Sequence, residues 1–125
     1  MKSNDRLDEI FTLRKEFINQ LKSTIPASMP DKIYPASKQG QQYLRDLALH
    51  GVEEMFEALQ HLKNWKTHRQ TEVDGFDRDA FLEEMVDAFN YFFALMINLD
   101  VDDKEFFEAF LKKHDIIINR LKTGY

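Results

Sequence analysis

The chain of 125 residues contains no cysteine. That absence excludes a disulfide framework, a thiolate metal site and a cysteine nucleophile, and it fits an intracellular protein. There are only three prolines and four glycines. Pro26, Pro30 and Pro35 all fall within 24–37, which reads as a loop, so proline interrupts no other part of the chain. Long apolar runs are also missing. The greasiest stretch, 88–99, is shorter than the roughly 20 residues a bilayer requires and carries Asn90 and Asn98. The opening MKSNDRLDEIF has no apolar signal core, so no secretory leader and a cytoplasmic location are expected. Positive charge is in deficit: 17 Lys and Arg face 22 Asp and Glu, a formal net charge of −5. A nucleic-acid partner, which needs a basic surface, is therefore not expected, whereas a small phosphorylated ligand needs only a local cation.

What is present is bulk and helical periodicity. Hydrophobic residues make up 43% of the chain and include eleven Phe and five Met, enough for a core and too many for disorder. One domain over 1–125 is expected at this size. Apolar residues at helical spacing predict helices over about 5–23, 37–68, 77–98 and 102–121. Asp77 or Asp79 can cap the third helix. Asp102, with Glu105 three residues on, resembles a capping box for the fourth. No segment alternates with period two for long enough to make a strand, so the expected fold class is all-α, a bundle of four to five helices.

The chemistry-bearing residues are acidic. Glu53, Glu54 and Glu57 share the second helix, and Glu83, Glu84 and Asp87 share the third. Residues three or four apart lie on one helix face, so each helix presents a clump of carboxylates. Facing one another, two such clumps would form a hard-cation site. A solvated acidic face is the plain alternative for Glu53 and Glu83. After Asp87 the third helix is apolar nearly all round and is expected to be buried on most sides. Carboxylates at the end of such a rod need a cation or a hydrogen-bonding partner.

Beyond the first clump come Lys63, Trp65, Lys66, His68 and Arg69. They read either as a basic helix end or as a cationic rim for phosphates. A second basic group, Lys112, Lys113, His114, Arg120 and Lys122, lies late in the chain. Gly51, in mid-helix before Glu53, marks either a close approach or a kink.

Together these residues resemble the all-alpha nucleoside triphosphate pyrophosphohydrolases, the MazG-like proteins and dimeric dUTPases. The family pattern E-E-x-x-E followed by E-x-x-D stands here as Glu53-Glu54-Met55-Phe56-Glu57 and Glu84-Met85-Val86-Asp87. Trp65-Lys66 and the ending from Lys113 through Arg120 to Gly124-Tyr125 resemble elements of the dUTPase branch. The likeness implies a metal-dependent hydrolase that splits a deoxynucleoside triphosphate into monophosphate and pyrophosphate, working as a homodimer or homotetramer. It implies Mg²⁺, with Mn²⁺ able to substitute, held by Glu54, Glu57, Glu84 and Asp87. Glu53 and Glu54 would be catalytic, Glu53 as a further ligand or as the group that orients the attacking water. Lys66, Arg69, Lys113, Arg120 and Tyr125 would contact phosphates, and Asn90, Trp65 and Arg14 the nucleoside. Arg14, Ile117 and Leu121 stand where that branch carries amides. The base therefore stays open among uracil, which the branch favours, a purine, and cytosine.

Other classes are weighed by the same residues. A di-iron bundle wants Glu-x-x-His pairs, and the third residue along is Glu57 or Asp87. His114-Asp115 matches only two letters of the HD phosphohydrolase signature. A non-catalytic helical interaction module would account for the charge but not for two carboxylate pairs beside a buried helix.

Overall fold

The computed structural model describes residues 5–124. Among them are four α-helices, α1 (Arg6–Thr24), α2 (Lys38–Leu59), α3 (Arg78–Asn98) and α4 (Asp103–Thr123), one 3₁₀ turn at Pro26–Ser28, and no strand. The all-α expectation holds. No described helix is long and apolar enough to cross a membrane.

Side-chain caps set the helix starts, satisfying backbone N–H groups that have no partner within the helix. The Asp5 carboxylate accepts from the N–H groups of Leu7 and Asp8 at 3.0 and 3.2 Å. Ser37 Oγ accepts from Gly40 N–H at 2.9 Å and donates to the Tyr34 carbonyl at 2.8 Å. That carbonyl lies over the Gly40 Cα, where a Cβ would strike it, so only glycine fits there. Asp77, not Asp79, caps α3, accepting from Ala80 N–H at 3.0 Å. Asp102 accepts from Glu105 N–H at 2.9 Å, one half of the expected capping box. Between α3 and α4 the chain turns through Asp100 at φ 58, a left-handed conformation that aspartate tolerates better than most residues.

Two boundaries differ from the periodicity. The 24–37 loop contains the 3₁₀ turn at Pro26–Ser28, whose first residue is a proline suited to that position. More consequential, α2 ends at Leu59, not near His68. His61 N–H donates to Ala58 O at 3.1 Å and Leu62 N–H to Leu59 O at 2.9 Å, so the last turns tighten and the helix stops. Trp65, Lys66 and Arg69 thus belong to the α2–α3 connection rather than to a helix end. Polar residues at 60, 61, 63, 64 and 66–70 leave only Leu62 and Trp65 to anchor a further helix against anything apolar.

The chain forms two compact units. One comprises the described residues of Met1–Met29 and Met96–Tyr125, where buried Phe11 of α1 meets Phe106 of α4 with ring centroids 6.1 Å apart. The other, Pro30–Leu95, is built on α2 packed antiparallel to α3. His50 lies against Tyr91, with centroids 5.5 Å apart, and Gly51 lies against Phe92. A Cβ at Gly51 would sit 2.6 Å from the Phe92 ring, and α2 runs through this position without a break. Gly51 is therefore a close approach rather than a kink.

After Asp87, α3 is buried or half-buried at residues 88 and 90–98, and Phe89 is exposed. Ala88 and Ala94 are buried, but Leu82, Val86 and Phe89 are 52%, 53% and 45% exposed. The side of α3 that carries Glu84, Tyr91 and Phe92 lies against α2.

Candidate metal centre

Antiparallel pairing of α2 and α3 brings their acidic faces together. Glu54, Glu84 and Asp87 each offer a carboxylate oxygen, and these atoms all lie within 4.8 Å of one another. Glu57, one turn after Glu54, is within hydrogen-bonding reach of both Glu54 and Glu84. Glu54 and Glu84 are half-buried, while Glu57 and Asp87 are exposed.

The electrostatics follow from that crowding. Desolvation raises the Glu54 pKa above its ordinary value, helped by the hydrogen bond and charge of Glu57 and then by the charges of Asp87 and Glu84. Glu84 is raised by desolvation and by Glu57 and Asp87, and His61 acts in the opposite direction. The carboxylates of Glu57 and Asp87 thus make ionisation of Glu54 and Glu84 harder, and a bound cation would relieve this.

Both glutamates therefore hold protons more tightly in the folded chain than in the unfolded one. Between the ordinary glutamate value and the raised one the folded state carries the extra protons, so metal-free stability falls as pH rises through that window. Glu84→Gln should accordingly raise the melting temperature of the metal-free protein above wild type at pH 7.5. The gap should narrow as pH is lowered towards 4. Thermal melts in EDTA at both pH values check this, and a Glu84→Gln protein that melts below wild type at pH 7.5 would contradict it.

The other residues singled out by sequence are placed unevenly. Glu53 is exposed and outside the 4.8 Å group, and its carboxylate lies 3.9 Å from His50 Nδ1. Trp65, Lys66 and Arg69 come together with Phe56, Leu59 and Lys63 around a groove of about 770 Å³. The Lys66 ammonium sits 5.7 Å from the Trp65 ring centroid. At about 100° per residue, Phe56 and Leu59 point about 200° and 140° away from Glu54. Phe56 and Leu59 thus lie on a different face of α2 from Glu54, and Lys66 and Arg69 line this groove with Trp65.

Asn90 is half-buried on α3, one turn after Asp87. Arg14, half-buried on α1, has its guanidinium 4.5 Å from the Phe17 ring centroid. Lys113 and Arg120 are exposed on α4, in the other unit. Tyr125 lies outside the described residues.

One residue near the centre carried no sequence signal on its own. His61 lies in the turn that follows α2, two residues past Leu59. No family model, no curated protein and no solved structure matches this chain.

Proposed function

We propose that this chain is a divalent-metal-dependent pyrophosphohydrolase of the all-alpha nucleoside triphosphate pyrophosphatase type. It would convert a deoxynucleoside triphosphate to the monophosphate and pyrophosphate. One observation carries the reading: Glu54, Glu84 and Asp87, with Glu57 beside them, converge from two antiparallel helices. The donor set fits Mg²⁺ or Mn²⁺, because it consists entirely of hard carboxylate oxygens whose mutual repulsion a cation would relieve. Bound there, the metal supplies positive charge to the phosphates and makes water easier to deprotonate.

The chain's own residues do the rest. Glu54, Glu57, Glu84 and Asp87 would hold the metal. Glu53, with His50 3.9 Å away, orients the water that attacks the α-phosphorus. The bond from that phosphorus to the bridging oxygen breaks, and the pair of electrons leaves with pyrophosphate. By the family resemblance Lys113, Arg120 and Tyr125 contact phosphates, while Asn90, Trp65 and Arg14 serve the nucleoside. Lys66 and Arg69, which line one groove with Trp65, contact phosphates by the same resemblance.

A homodimer or homotetramer belongs to the same proposal. Its support is the apolar surface left open, including Phe89 on α3 and Phe107, Phe110 and Leu121 on α4, which are 45%, 52%, 60% and 70% exposed. The same surface favours the second reading, a helical interaction module without catalysis.

For the base, uracil is the first choice, with a purine or cytosine as alternatives. A site that hydrogen-bonds one base rejects another by leaving buried polar groups unpaired. Steady-state kcat/KM with Mg²⁺ for dUTP and the four standard deoxynucleoside triphosphates should place dUTP first. A purine preference above tenfold would end that assignment, and no turnover of any of the five would end the enzymatic reading.

A further inference from the structure

We infer that α4 pairs antiparallel with α4 of a second copy of this chain, its apolar face closing around a two-fold axis at His114. The inference rests on the assembly reading above and not on the catalytic one, and it names the surface through which two copies meet. The helix needs such a cover. Only Asp103 and Phe106, in its first turn, are half-buried, and every residue of α4 from Phe107 to Thr123 is exposed. That stretch nevertheless holds Phe107, Phe110, Leu111, Ile117, Ile118 and Leu121, each at least 37% exposed. A helix of this length is marginal in water unless its apolar face is packed against something.

The spacing of that face is symmetric. At about 100° per residue all six side chains lie within about 60° of His114 around the helix axis. Phe107 and Leu121 stand seven residues from His114, Phe110 and Ile118 four, and Leu111 and Ile117 three. Antiparallel pairing about a two-fold at His114 sets each position against its mirror, so apolar side chains meet apolar ones along the whole face. The His114 ring stacks on Phe110, with centroids 6.5 Å apart and planes 5° from parallel, and so belongs to the same face. As the single polar position there it meets its own copy, and a lone polar residue in a helix seam fixes the register.

Charge selects the occupant and its direction. The start of α4 carries Asp102, Asp103, Glu105 and Glu108 against a single Lys104. Its second half carries Lys112, Lys113, Arg120 and Lys122 against a single Asp115. Antiparallel pairing lays the acidic half of one copy beside the basic half of the other, whereas parallel pairing would set like charge on like. Lys113 and Arg120 fall about 100° and 120° from His114, outside the apolar face, so the pairing leaves them accessible to phosphates.

Light scattering on the full chain at micromolar concentration should return at least twice the 14.9 kDa of one copy. Phe110→Asp combined with Ile118→Asp should raise the dissociation constant at least tenfold. Orientation is read from single-cysteine variants, which are clean because the chain has no cysteine of its own. On mild oxidation His114→Cys should form a disulfide-linked dimer by itself. Phe107→Cys and Leu121→Cys should link to each other when mixed but neither to itself. Like positions at the helix ends are separated by about 14 residues, roughly 21 Å, in an antiparallel pair, far beyond the reach of a disulfide. Phe107→Cys linking to itself would mean a parallel pair and overturns the inference. An oligomer that gives none of these crosslinks, or that the two aspartates leave undiminished, also overturns it, and the assembly reading then rests on another surface. A wild-type monomer overturns the inference and the assembly reading together.

Discussion

Asp87→Ala and Glu57→Ala are each expected to lower deoxynucleoside triphosphate turnover by about 10²-fold or more, with the helical content unchanged. The size follows from what each carboxylate does: preorganised charge at a phosphoryl centre is typically worth that much when one member is removed. The fold should survive because both side chains are exposed and neither fills the core. Removing either also relieves the crowding that raises Glu54 and Glu84. Circular dichroism and initial rates on the two purified variants make the comparison. Near-wild-type rates in both would mean that the chemistry lies elsewhere.

The second large effect is on stability. A ligand that binds only the folded state at a hundred times its Kd stabilises it by about 2.7 kcal/mol. At roughly 4 °C per kcal/mol for a domain of this size, MgCl₂ or MnCl₂ should raise the melting temperature by about 10 °C. KCl at matched ionic strength should not reproduce the rise, because general screening acts on all the surface charges rather than on one centre. Asp87→Ala should lose most of the shift. A wild-type melt indifferent to both divalent cations is the behaviour of an interaction module, the second reading above.

The four helices were legible because their signals are local. Apolar spacing sets their existence, and Asp5, Ser37, Asp77 and Asp102 cap them through contacts no more than three residues long. The acidic pairs were legible for the same reason, since helical spacing alone places Glu54 with Glu57 and Glu84 with Asp87. The end of α2 was not, because Lys63 to Arg69 contains no proline or glycine to announce a stop. With α2 ending at Leu59, Lys66 and Arg69 fall in the α2–α3 connection and not at a helix end. Gly51 could be recognised as unusual, but the ring it accommodates, Phe92, belongs to another helix.

The central claim is that the acidic centre hydrolyses a triphosphate between the α- and β-phosphates. Phosphorus NMR of a deoxynucleoside triphosphate incubated with the protein and Mg²⁺ in ¹⁸O-labelled water tests it most directly. The account predicts equal amounts of monophosphate and pyrophosphate, with the label on the monophosphate alone and no reaction in EDTA. Diphosphate and orthophosphate as products, or label in the pyrophosphate, would contradict it.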